Sequence, residues 1–365
     1  MDVWKYILVD WSGTFFLQFC PWMSSYMIRM LVNNLIDWLI VLTVVTMIVW
    51  FVLTQPVLIK STQRINSVVV NKEKLRKHVV ALVEDYSPRT IEYGNLNIAA
   101  QYIFDELKDL GSVHYQGFKT LSGSYNNVIL ELGPDSNEVF VIGAHYDAKN
   151  NSLDTEGNAS GVAILIELAR QLSHTKNKLP MKVQIVAYPL SQGTLTAKEN
   201  MGSYNHAAYL KTLNQEVYLM VSLDSVGRFT NREKSQEYPF NFMHLLYPNR
   251  GNYISVVGRL QDYTKIRHLK KSFVNGTKLP LYSFNSPSSF PLINSRDHLN
   301  YQLHGFPAVL VTDTADYRKV NGSIIGIQLD FEKMAMLVKG LNQVVMGSAT
   351  IKKELRLPNR VHTSL

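Results

Sequence analysis

Cysteine is nearly absent from this 365-residue chain: Cys20 stands alone, so neither an internal disulfide nor a thiolate-rich zinc site can form. Internal repeats and low-complexity tracts are also missing, so the chain reads as a folded body rather than an array. Charge is sparse as well. The net charge is a modest +8, and the basic residues gather after one hydrophobic segment instead of interleaving with aromatics, so no nucleic-acid partner is expected. A hydrophobic content of 46% is ordinary for a globular protein of one large or two modest domains.

What is present begins with an uncharged run, WLIVLTVVTMIVWFVLT, from Trp38 to Thr54, followed by Pro56. Extended back through Ile36 and Leu35 it approaches the ~20 residues that cross a bilayer, with Asp37 near one end. Tryptophans flank the run, as interfacial anchors do. It starts too late for a signal peptide and lacks a small-residue cleavage pattern. Residues 1–34 are apolar but broken at Gln18, Pro21 and Ser24–Ser25; they lie at the interface or form a second segment. The expected order is therefore residues 1–34, a transmembrane helix at 35–55, a linker at 56–71, a folded domain at 72–348 and a polar tail at 349–365. The membrane is the partner this order implies. Lys60, Arg64, Lys72, Lys74, Arg76 and Lys77 follow the run and only Lys5 and Arg29 precede it, which places the domain in the cytoplasm by the positive-inside rule.

The folded domain reads as α/β. Ala99, Ile103, Leu107 and Leu110 share one helical face that Gly111 ends. Strands are expected at Asn127–Leu132, Val139–Ile142, Val183–Tyr188, Val217–Ser222, Tyr253–Val257 and Ala308–Val311. Helices are expected at Ser160–Leu172, Tyr263–Phe273 and Phe331–Val345. Short apolar strands alternating with amphipathic helices predict a central, mostly parallel mixed sheet with helices on both faces. His145 and Asp147 then fall just past a strand, where such folds gather reactive groups.

In order, VIGAHYDAKN, GNASGVAILIELARQL, VAYPLSQGTLTAKENMGS, SLDSVGRF, RDHLNYQLHGFPAVLVTDTADYR and LDFEKMAMLVKGL resemble the M28 family of zinc peptidases, which includes aminopeptidases and glutaminyl cyclases. The resemblance spans about residues 72–346. It implies two zinc ions bridged by an aspartate and a water, a glutamate general base, and release of N-terminal residues from peptides. His145 falls at the first histidine ligand, Asp147 at the aspartate that orients it, and Asp224 at a carboxylate ligand. Elsewhere the pattern fails. Gly157 stands at the bridging aspartate, Ser191 at the general base, Gln192 at the glutamate ligand and Ser323 at the last histidine. The resemblance also implies an exported domain, against the charge bias, and the extracytoplasmic side is the expectation adopted.

Zinc needs three or four imidazole, thiolate or carboxylate donors, and the hydrolytic water needs a base. His145 and Asp224 are vestigial donors, and Ser191 has no useful proton affinity. No intact catalytic group and no cofactor are expected. The expected function is a single-pass, membrane-anchored, inactive homologue whose degenerate cleft binds a peptide or protein. The alternative is a zinc-dependent aminopeptidase that recruits Asp154 or Glu156 as displaced ligands. Glutaminyl cyclisation fails on the same positions, Gly157, Gln192 and Ser323. Asp297 and His298 match a pair on the family's pocket rim or cap a loop, Ser160 is a candidate helix cap rather than a nucleophile, and Tyr317 and Arg318 are candidates to line a cleft.

Overall fold

The computed structural model describes residues 21–54, 68–91, 95–149, 157–192, 198–286, 297–314, 317 and 329–356. Two units emerge, residues 1–51 and 52–365. Within the described residues the first unit is helical. Helix α1 runs unbroken from Pro21 to Thr54 and so passes straight through Ser24–Ser25, where a break was expected. Ile28–Val52 is long and apolar enough to cross a membrane, with a mean hydropathy of 2.4 and none of it buried in protein. Thr43 and Thr46 return their hydroxyls to the carbonyls of Leu39 and Leu42 at 2.7 Å, so neither hydroxyl demands water.

The second unit carries the remaining elements. Helix α2 (Lys72–Val80) is capped by the Asn71 side chain, which accepts from the amides of Glu73 and Lys74. There follow α3 (Leu96–Leu107), β1 (Ser112–Thr120), β2 (Gly123–Leu132), β3 (Glu138–His145), α4 (Ala159–Ser173) and β4 (Lys182–Tyr188). Then come α5 (Gly202–Thr212), β5 (Glu216–Leu223), α6 (Met243–Leu246), β6 (Ile254–Arg259) and α7 (Tyr263–Gly276). The last elements are β7 (Leu281–Ser286), α8 (Asp297–Leu303), β8 (Ala308–Thr312) and α9 (Phe331–Arg356). Helix α9 extends past its expected end into the segment read as a polar tail.

The strands form one sheet in the order β1-β2-β4-β3-β5-β8-β6-β7. Its centre, β4-β3-β5-β8, is parallel, and β2 and β6 join it antiparallel. The sheet is thus mixed, with the parallel character confined to the centre and to the β6–β7 pair. Alternation along each strand decides which core a side chain joins. Phe140, Ile142, Ile185, Ala187, Leu219 and Val221 face the larger core with α4 and α9, while Val139, Val141, Val186 and Met220 join Leu210 of α5 and Tyr301 of α8 on the other side. Helices therefore cover both faces. The edge strands β1 and β7 were not anticipated. Strand β1, SVHYQGFKT, buries none of its residues fully and so has no apolar run to announce it.

Candidate functional site

The site gathers where the parallel strands end. His145 closes β3, Asp147 follows it, Asp224 follows β5, and Ser191 and Gln192 lie just beyond β4. The turn after β4 is tight: Leu190 takes φ 64°, a left-handed conformation rare for a leucine. Across from it, Gly157 and Asn158 are also left-handed, at φ 39° and 58°, just before α4.

Asn158 ties the two key strands together. Its amide donates to the carbonyls of His145 at 3.1 Å and Leu223 at 3.0 Å, and its oxygen accepts from the amide of Ser225 at 3.0 Å. This staple holds His145 beside Asp224 whether or not anything is bound. It also gives Asn158, not Ser160, the capping position of α4; Ser160 sits inside the helix and accepts from the amide of Val226 at 3.4 Å.

His145 is 1% exposed and its ring lies between two carboxylates. Nδ1 is 3.1 Å from the Asp147 carbonyl and 3.4 Å from its Oδ1; Nε2 is 3.6 Å from Asp224 Oδ2. Burial opposes the imidazolium, but the charges of Asp224 and Asp147 outweigh it and raise the His145 pKa well above the ordinary value. The side-chain amide nitrogen of Gln192 lies 3.2 Å from Nε2 and donates to it when that nitrogen carries no proton. The Gln192 backbone amide donates to Asp147 Oδ2 at 2.8 Å, which locks the turn after β4 onto the end of β3.

Ser191 donates to Asp297 Oδ1 at 2.6 Å, beneath the His145 cluster. Asp297 opens α8 and is buried, and that burial raises its pKa. Asp297 and His298 are both buried rather than placed on a rim, because α8 starts under the turn after β4. Tyr317, just after β8, accepts through its carbonyl from the amide of Glu237 at 2.7 Å, which joins it to the loop after β5. Asp154, Glu156, Arg318 and Ser323 lie outside the described residues.

These groups do not fit a metal. Nε2 of His145 and Oδ2 of Asp224, 3.6 Å apart, have roughly the separation of two ligands on one tetrahedral ion. The remaining donors are lacking. Gln192 offers a neutral amide, Ser191 is bound to Asp297, and Gly157 has no side chain. Nor is there room for one at Gly157. A Cβ there would lie 2.3 Å from the Ala148 Cβ, 2.9 Å from its Cα and 3.1 Å from Arg89 Nη2. The buried Arg89 donates from Nη2 to the Gly157 carbonyl at 3.3 Å, and its own carbonyl accepts from the amide of Ala148 at 2.7 Å. Among the described residues no group of three or more His, Cys, Asp and Glu side chains is placed to hold a metal ion. Sequence reasoning missed Arg89 altogether, because nothing near it in the chain hints that it packs against residue 157.

Residues 127–320 match the profile of peptidase family M28. The chain is 37% identical over 289 residues to "Uncharacterized protein YfbL" of Escherichia coli (strain K12), covering 76% of this chain and 88% of that protein. Among solved structures it resembles LapB from Legionella pneumophila, with a TM-score of 0.58, 16% identity and coverage of 77% and 72% of the two chains. It resembles Macrostomum lignano glutaminyl cyclase equally, at a TM-score of 0.58, 14% identity and coverage of 80% and 96%. At those identities the structures speak for the fold alone. The family profile covers more than half of the residues and the Escherichia coli relative most of them, and the chain belongs to peptidase family M28.

Proposed function

We propose that this protein is a membrane-anchored M28-fold protein without peptidase activity, whose body binds or scaffolds a peptide or protein on the extracytoplasmic side. Ile28–Val52 is the anchor in this reading. One observation carries the loss of activity: the place of the bridging carboxylate is a left-handed glycine walled in by Ala148 and Arg89. The base and its neighbouring ligand are replaced as well: the Ser191 hydroxyl is bound to Asp297, and Gln192, tied to Asp147 by its backbone amide, offers only a neutral side-chain amide. A serine hydroxyl hydrogen-bonded to a buried carboxylate cannot take the proton of an attacking water. His145, Asp147 and Asp224 then serve as a fixed polar knot that holds the strand ends.

The test is elemental analysis of the purified chain after incubation with zinc and removal of loosely held ions. Less than about a tenth of an equivalent, together with no release of N-terminal residues from peptides, supports the reading. One or two tightly held zinc ions, lost in His145→Ala or Asp224→Ala, would overturn it in favour of displaced ligands from residues 150–156.

A further inference from the structure

The sheet ends at one side in a long open edge. Strand β1 is last in the strand order there and, among the described strands, pairs only with β2. Its nine residues, SVHYQGFKT, span ~30 Å, whereas β7 at the other side has six residues. The pairing with β2 runs from Ser112↔Glu131 to Thr120↔Gly123 without a register shift, so no bulge turns the edge away. The strand has no proline and no acidic residue, and Lys119, near its end, is its only lysine or arginine. Sheet edges are ordinarily guarded by short length, proline, bulges or charge, because their unpaired amides and carbonyls template another strand. The middle of β1 carries none of these guards.

The phase of the backbone selects what can add to it. A two-residue turn, Leu121–Ser122, closes Thr120 on Gly123, and in such a hairpin the closing pair exchanges both hydrogen bonds. Alternation then turns the amides and carbonyls of Val113, Tyr115, Gly117 and Lys119 to the open side. An antiparallel copy of the same strand, centred on Gln116, brings these four together: Val113 meets Lys119 and Tyr115 meets Gly117 of the second copy. The positions between them pair Ser112 with Thr120, His114 with Phe118, and Gln116 with itself. No like charges stand opposite, two hydroxyl residues meet, and an aromatic ring covers a glycine, all of which favour pairing. Slipping the register by two residues either sets Gly117 on itself or carries Lys119 past the end of the partner strand, so the centred register is the one this sequence fits. Tyr115 is held ready for it. Its ring stacks on Phe104 at 4.7 Å, its hydroxyl donates to Gln101 Oε1 at 2.9 Å, and 38% of the residue stays exposed. Leu121, fully exposed at the turn, then falls opposite Gly111 of the second copy.

We propose that β1 is a self-association edge: two copies of the chain pair β1 with β1 about a two-fold axis at Gln116, joining their sheets into one. The inference does not depend on whether the site at His145 holds a metal. The test uses the full chain in detergent with Cys20→Ser and one new cysteine. Q116C places its thiol opposite its own copy at a non-hydrogen-bonded position, where Cα atoms lie about 4.5 Å apart and mild oxidation can bridge them. Cross-linking is expected at least about tenfold faster than in L245C, because paired thiols meet at a far higher effective concentration than colliding ones. Leu245 is the reference because it is 88% exposed, on α6 and away from β1. Gly117→Pro removes an amide that faces the open side and leaves the β1–β2 ladder whole. It is expected to keep the circular dichroism of the parent and to halve the protein mass read by light scattering. A parent chain that is monomeric at micromolar concentration overturns the proposal, as does cross-linking at 116 no faster than at 245. A folded Gly117→Pro that stays dimeric also overturns it and assigns association to another surface, the apolar helix included. Should Gly117→Pro fail to fold, the cross-linking rates at 116 and 245 decide alone.

Discussion

Placing a carboxylate at position 157, where the family resemblance expects the bridging aspartate, tests the proposed reading most directly through Gly157→Asp, and Gly157→Ala isolates the steric part. A non-glycine residue at φ 39° costs about 1–2 kcal/mol from the clash of its Cβ with the backbone. The added Cβ lies 2.3 Å from the Ala148 Cβ, whereas carbon atoms rest at roughly 3.5–4.0 Å. Forcing a buried neighbour aside by that amount costs a further ~1–3 kcal/mol. Gly157→Ala should therefore lose roughly 2–5 kcal/mol of stability, or about 4–20 °C in Tm for a domain of this size. Thermal unfolding of the detergent-purified chain followed by circular dichroism reads this directly. The combined variant G157D/S191E/Q192E should unfold at least as easily and still bind no zinc. Restoration of zinc binding by that variant, or an unchanged Tm in Gly157→Ala, would refute the reasoning, since the wall formed by Ala148 and Arg89 would then have yielded freely.

Asn158→Ala removes three hydrogen bonds and leaves the His145 and Leu223 carbonyls buried without that donor, so a loss of about 2–4 kcal/mol is expected by denaturant unfolding. His206 is buried neutral, its pKa pushed down to about 3 by burial first and by the charge of His114 second. The unfolded chain binds that proton from about pH 6.5 downward and the folded chain does not, so this stability is present above pH 6.5 and lost as pH falls toward 3. The slope from this group is ~1.4 kcal/mol per pH unit, and His206→Gln should flatten the Tm-against-pH curve between pH 6.5 and 4.5; an unchanged slope would show that other groups carry it. A periplasmic-type enzyme fused after Leu365 is expected to be active and a cytoplasmic reporter silent, and the reverse pattern would hand the topology to the basic residues that follow the span.

The central strands were legible because both their faces are covered, which demands the unbroken apolar runs at 139–142 and 217–222. The apolar helix was legible for the same reason of composition, though not its continuation through Ser24–Ser25, because serine costs a helix only a few tenths of a kcal/mol. The edge strands escaped because one exposed side needs no such run, and α5 because its polar residues, GSYNHAAYLKT, hide the stripe at Ala207 and Leu210. In the site, the sequence by itself determined which side chains are on offer: an imidazole and carboxylates at 145, 147 and 224, and none of the expected acids or imidazole at 157, 191, 192 and 323. Only the tertiary structure decided that position 157 has no room for a side chain. Arg89 lies 68 residues before Gly157, and their contact exists because the loop after α2 folds over the start of α4. Packing of that kind leaves no local pattern, because the side chain that fills a space is chosen by whichever segment the fold brings there.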